Sequence, residues 1–365
     1  MISRGSQPIS TPLAKMGQSI IFVLSLMFSS CSVIDEDQSD CGKEAKMDYE
    51  LDLITNMSIE LRTQLNKELD KDVAEALREY LKPIFTDYAH DVDLSFYDTE
   101  GDSTRLHHDQ HIMDANQRSY TLYLPMRDYM HLAAANLVNN PRVDLTGDGY
   151  CHPSKLQQQQ ADTVSPHTTG LFTARMPMSL KEGKDQTFLV RLYMANCAAA
   201  LVVDTQGLDA SGMKVLGTGF ASGFSICDST FLFAGQAPIM KADEIAVKGG
   251  RMKCFCTVNF PSRKVLSQEQ TRTVIETEEP FLAKPGEQSL WEFEVYAPSN
   301  EDNNTRGNRK ITKTVLRVTE ALNSGQLKII KCTLLDDGSV TTANPEVGVS
   351  VTLDWKPGSV YHPEL

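Results

Sequence analysis

The stretch EVGVSVTLDW, Glu346–Trp355, alternates without a break. Val347, Val349, Val351, Leu353 and Trp355 fall on one side, and Gly348, Ser350, Thr352 and Asp354 on the other. Successive side chains of a strand point to opposite faces, so the pattern describes a strand with one face turned to an apolar layer. Only ten residues follow, and Pro357 and Pro363 bar them from continuing as a regular central strand. Such a strand either completes its own domain or is added to a neighbouring molecule, so its five apolar residues are candidates for contact between subunits. A free strand this apolar would invite aggregation before assembly, which favours completion of its own domain.

The same period of two recurs upstream. DVDLSFYD turns Val92, Leu94 and Phe96 to one side, SYTLYLPM does so with Tyr120, Leu122 and Leu124, and SLWEFEVYA with Trp291, Phe293 and Val295. TFLVRLYMANCAAALVVD is long and apolar and reads as one strand crossing the core of a sheet. QLKIIKCTLL runs into DDGS, a hairpin turn signal. One segment breaks the pattern. In SIELRTQLNKELDKDVAEALREYLK, Leu61, Leu65, Leu69, Val73, Leu77 and Leu81 recur every fourth residue. That spacing predicts an amphipathic helix over 58–82, capped by Ser58, stopped by Pro83 and laid on a sheet.

Many short strands and one early helix predict a mostly β protein of two tandem β-sandwich domains, with the helix in the N-terminal one. The polar segment Ser179–Gln186 sets the expected boundary, giving an N-terminal domain over 46–184 and a C-terminal domain over 185–365.

The amino terminus is of another kind. Ile20–Phe28 is too short to span a bilayer, which needs about 20 apolar residues. It fits the apolar core of a signal peptide, with Arg4 and Lys15 as its basic end. Ser29 and Ser30 then precede Cys31, which resembles the lipobox of bacterial lipoproteins. That resemblance implies cleavage after residue 30, with diacylglyceryl and N-acyl groups on Cys31. Two or three acyl chains at about 0.8 kcal/mol per buried methylene hold a protein where one would not. Residues 31–45 read as an acidic tether, and Asp35, Glu36 and Asp37 resemble a surface-export signal of Bacteroidetes lipoproteins.

The chain carries a net charge of −13, and loss of residues 1–30 removes Arg4 and Lys15 but no acid, leaving −15. Nucleic acid requires a basic footprint, so it is excluded as a partner. Seven cysteines past Cys31, scattered and odd in number, make a poor disulfide framework and read as buried free thiols.

No segment carries a catalytic signature. RLHHDQHIMD holds His107, His108 and His111, but it has no glutamate base between ligands and reads as a polar loop. DLTGDGY imitates the start of a calcium loop, yet the twelfth position from Asp144 is Lys155 where a carboxylate is needed, so it reads as a turn. The expectation is a protein that is not an enzyme and has no cofactor or metal.

Taken in order, LMFSSCSVIDEDQSDC, the helix after a first strand, TTGLFTARMPM, LVRLYMANCAAALVVD and VGVSVTLDWKPG resemble the FimB-type fimbrial anchor subunits of Bacteroidetes. The resemblance spans the mature chain. It implies two transthyretin-like β-sandwiches, an outer-membrane lipid anchor on Cys31, and assembly with fimbrillin-like stalk subunits by strand donation. Stalk subunits of that family are matured by a cut after a basic residue, often arginine. Here no arginine occurs between Cys31 and Leu61, so the chain resembles an anchor that keeps its first strand, KMDYELDLI. The expected function is a lipid-anchored surface subunit that anchors or terminates a fimbrium. A lipid-anchored adhesin or glycan-binding protein on the same scaffold is the alternative.

Overall fold

The computed structural model describes residues 44–54, 69–86, 88–112, 119–181, 186–233, 238–264, 289–300, 310–345 and 347–355. The chain begins with β1 (Glu44–Ile54) and α1 (Lys71–Leu81), then runs through β2 (Asp91–Asp98), β3 (Arg105–Ile112), β4 (Ser119–Pro125) and β5 (Asp128–Ala135). Two short strands, β6 (Val143–Thr146) and β7 (Lys155–Gln158), lead to β8 (Phe172–Ser179), β9 (Gln186–Met194) and β10 (Cys197–Asp204). Next come β11 (Lys214–Thr218), β12 (Gly223–Ser225), β13 (Thr230–Leu232), β14 (Met240–Lys241), β15 (Asp243–Ile245) and β16 (Met252–Asn259). The last five are β17 (Trp291–Pro298), β18 (Ile311–Val318), β19 (Leu327–Leu334), β20 (Val340–Thr341) and β21 (Val347–Trp355).

These strands build a mostly β protein of tandem β-sandwiches. A seven-stranded sheet has the order β3-β2-β5-β8-β9-β1-β4. It curls on itself. His111 of one edge strand stacks on Tyr120 of the other with ring centroids 4.3 Å apart, and the Tyr49 hydroxyl of β1 meets His131 of β5 at 2.6 Å. A four-stranded sheet, β13-β12-β7-β6, covers the outer side of β2 and β5, where Tyr97, Leu132 and Ala134 pack with Val143, Leu156 and Phe224. Two five-stranded sheets, β15-β16-β10-β19-β20 and β14-β11-β17-β18-β21, face each other across Leu201, Phe255, Ile330, Trp291, Phe293 and Leu316.

The first of these five-stranded sheets is buried on both faces. Ala198, Ala200, Val202, Cys254, Cys256 and Val258 point into the cluster that holds the interior of the curled sheet and the apolar stripe of α1. Cys197, Ala199, Leu201 and Val203 point the other way. A strand covered on both sides must be apolar along its buried length, and β10 is so from Cys197 to Val203.

The described helix covers the C-terminal half of the segment that the leucine spacing marks. It starts at Lys71, where the Asp70 carboxylate accepts from the Asp72 amide at 2.9 Å; the part of the predicted helix over 58–68 lies outside the described residues. An aspartate at the N-cap satisfies an amide that the first turn leaves without a partner. Val73, Ala74, Leu77 and Leu81 are its buried side. The Tyr80 hydroxyl donates to Asp243 of β15 at 2.9 Å, which ties the helix to the middle sheet.

The expected boundary at 184/185 falls between β8 and β9, and β9 belongs to the curled sheet, paired in parallel with β1. The crossing comes later. The run read as one long strand is two, and Ala195–Asn196 separates them. Asn196 is fully buried; its Oδ1 accepts from the Leu171 amide, so its Nδ2 donates to His167 Nδ1 at 2.8 Å. The other ring nitrogen then carries the proton and donates to Gln158 Oε1 at 2.7 Å. Both polar atoms of the Asn196 side chain thereby have partners, and the imidazole between Asn196 and Gln158 is neutral. Burial holds His167 down at about 3, helped by the Arg142 cation, and burial alone holds His131 down at about 4 against a pull upward from the Ser95 carbonyl.

Both histidines therefore favour the folded state while neutral. The unfolded chain binds protons near 6.5 and the folded chain does not, so stability is complete above that pH and is lost as pH falls toward the folded values. Urea midpoints should fall between pH 6.5 and pH 4 at up to about 1.4 kcal/mol per pH unit for each histidine. A profile flat from pH 7 to pH 4.5 would contradict the assignment.

Candidate functional site

Strand β21 is the last strand of its sheet, hydrogen-bonded antiparallel to β18 from Val318↔Val347 to Ile311↔Trp355. Its inward positions Val347, Val349 and Val351 stand beside Val318, Leu316 and Thr314. The outward neighbours Gly348 and Ser350 lie beside Arg317 and Val315, and the outer face of β18 carries the ion pairs Arg317–Glu292 at 3.1 Å and Lys313–Glu294 at 2.7 Å. Charge on one face and valine on the other fix which side meets the core.

The core reaches only part of that strand. Val347 is 7% exposed, but Val349 is 40% and Val351 43% exposed. The alternation predicts a buried face along the whole strand, and the structure departs from it because the facing sheet ends too soon. Its last strand, β20, is two residues long, and the Val340 amide donates to Thr314 Oγ1 at 3.2 Å, which sets β20 above β18. One strand further out, β21 overhangs. The described backbone of Leu353 and Trp355 continues this edge. An edge strand whose outer backbone groups pair with no other strand among the described residues, and whose valines are exposed, is a template for another strand.

Of the other expected site residues, Cys31, Asp35, Glu36 and Asp37 lie outside the described residues. The histidine-rich segment is not a loop; it is the edge strand β3. His107 and His111 point inward and His108 outward, so their rings do not converge. Each has its own neighbour: His107 Nε2 lies 2.9 Å from Asp109, His108 Nε2 lies 2.6 Å from Asp93, and His111 stacks on Tyr120. In DLTGDGY, Asp144–Thr146 end β6 and Gly147–Tyr150 form a turn closed by the Tyr150 amide on the Gly147 carbonyl at 3.3 Å. Trp291 is buried, and its indole donates to the Glu320 carbonyl at 2.9 Å. On the outer face of the curled sheet Tyr123 and Tyr193 are 58% and 55% exposed, two aromatics that strand alternation alone did not single out.

No family model matches the chain, and no curated protein does. Solved structures similar to it include a proposed adhesin from Bacteroides ovatus, 12% identical over 90% of this chain and 99% of that one, with a TM-score of 0.49. A proposed adhesin from Bacteroides thetaiotaomicron is 10% identical over 86% of this chain and 98% of that one, also at 0.49. The fimbrial anchor protein Mfa2 from Porphyromonas gingivalis is 9% identical over 85% of this chain and 99% of that one, at 0.43.

The uneven burial of β21 separates a core residue, Val347, from the exposed Val349 and Val351. Val347→Ala should cost on the order of 1–3 kcal/mol in denaturant unfolding. Val349→Lys and Val351→Lys should each stay within about 1 kcal/mol of the parent. Equal losses at all three positions would mean that the whole face is core.

Proposed function

We propose that this chain is a lipid-anchored cell-surface subunit that anchors or terminates a fimbrium at the outer membrane. The observation that carries this reading is β21, an apolar edge strand seated in its own sheet yet overhanging the sheet opposite. A strand from a stalk subunit laid against it would gain backbone hydrogen bonds along an edge that no other described strand occupies, and would cover Val349 and Val351. Because β21 is already paired with β18, the chain is complete before assembly and offers an edge without giving up a strand. The lipobox-like segment ending at Cys31 supplies the membrane end, and the acidic residues Asp35, Glu36 and Asp37 supply an export signal and a tether. The order of motifs shared with FimB-type anchors points the same way.

A second reading, a lipid-anchored adhesin or glycan-binding protein, is favoured by Tyr123 and Tyr193, since exposed rings suit sugar faces. Crosslinking on membranes, followed by purification of the tagged full chain, separates the two. An anchor should bring down a ladder of fimbrial subunits, and the ladder should vanish with Val349→Lys/Val351→Lys. A lone chain whose glycan binding is lost with Tyr123→Ala/Tyr193→Ala would support the adhesin instead.

Membrane attachment is tested separately. Cys31→Ala should stop incorporation of labelled palmitate and release the protein from membranes or stall its processing. Retained label would show that the amino terminus is read wrongly. Alanines at 35, 36 and 37 should preserve acylation and reduce protease cleavage on intact cells.

A further inference from the structure

Cys151 and Cys227 lie 76 residues apart in sequence, and their sulphurs lie 2.7 Å apart in the structure. Cys151 sits in the turn between β6 and β7, and Cys227 in the turn between β12 and β13. Pairing of β7 with β12, Lys155↔Ser225, brings the turns together, and the Ile226 amide donates to the Ser154 carbonyl at 3.1 Å. Both side chains are buried in the same apolar cluster. The remaining described cysteines are dispersed over the two faces of the middle sheet, Cys254 and Cys256 on one and Cys197 and Cys332 on the other.

We infer that Cys151 and Cys227 are a disulfide-forming pair that staples the two turns of the four-stranded sheet. The nearest competing chemistry is a metal. His152 Nδ1 stands 3.7 Å from the Cys227 sulphur and 4.0 Å from Asp228 Oδ1, a group of ligand types that suits zinc. For an ion held by both sulphurs, distance decides. Two zinc–sulphur bonds of about 2.3 Å at a tetrahedral angle hold the sulphurs about 3.8 Å apart. The observed separation is much closer to the ~2.05 Å of a disulfide, which a small rotation of either side chain would reach.

The Cys227 thiolate attacks one sulphur of an external disulfide and expels one thiol. The Cys151 thiolate then attacks the Cys227 sulphur of the mixed disulfide and expels the other thiol. Two protons and two electrons pass from the pair to the oxidant, which leaves as two thiols. Since both sulphurs are buried, the exchange belongs to folding, before the turns close.

Oxidised glutathione can serve as the external disulfide. The full chain is refolded in oxidised and reduced glutathione, quenched in acid, alkylated in denaturant, digested and weighed. One peptide pair joining Cys151 to Cys227, lighter by two hydrogens, is expected, with Cys197, Cys254, Cys256 and Cys332 alkylated. In Cys151→Ser, Cys227 should trap glutathione as a mixed disulfide. Reduction of the parent should lower its melting temperature by roughly 10 °C. Alkylation of both Cys151 and Cys227 in the refolded parent would overturn the proposal, as would stoichiometric zinc released with both thiols free.

Discussion

A sheet buried on both faces is the constraint on which the rest of this molecule depends. Strand β10 pairs with β16 on one side and β19 on the other, so it has no free edge, and it has no free face. Its small residues do the work of spacing. Ala198 and Ala200 let α1 and the curled sheet approach from one side, while Ala199 and Leu201 meet the second sandwich on the other. Protein interiors are close-packed, so a larger side chain here would push both cores apart at once. The two sandwiches are thus coupled through one layer.

The crossing at Asn196 follows from that arrangement. Where the chain leaves the curled sheet for the middle sheet, its backbone polar groups are buried and must find partners. The Ala195 amide donates to the Leu171 carbonyl at 2.8 Å and the Gly325 amide to the Asn196 carbonyl at 2.7 Å, while the Asn196 side chain accepts from the Leu171 amide and donates to His167, which Gln158 holds from its other side. These partners come from β7, the segment before β8 and the turn before β19. The junction forms only when both halves are in place, which is how a polar cluster can enforce one relative arrangement.

Much of this was legible from the sequence, and what was missed has a common cause. Period-two alternation is local, and it located the inward residues of β4 and β17 and the strand β21. The break at Asn196 was hidden, because an asparagine within an apolar run reveals its role only through His167 and Leu171. The leucine spacing that suggested a helix from Ser58 masked Asp70, the residue whose side chain caps α1. The histidines of β3 looked like loop residues because an edge strand with polar side chains lacks the apolar alternation that identifies its neighbours. The exposure of Val349 and Val351 depends on how short β20 is, and nothing within β21 reports that. Contact between Cys151 and Cys227 likewise follows from strand register and not from cysteine spacing.

If the chain anchors a fibre, pull applied at β21 passes through its own sheet to the middle sheet, and from there to α1 and the curled sheet. The shared layer would then make the two sandwiches resist as one body. Scanning calorimetry of the full chain tests that coupling most directly. The account predicts a single transition for residues 45–365, with calorimetric and van't Hoff enthalpies in agreement. Two resolved transitions, one for each sandwich, would contradict it.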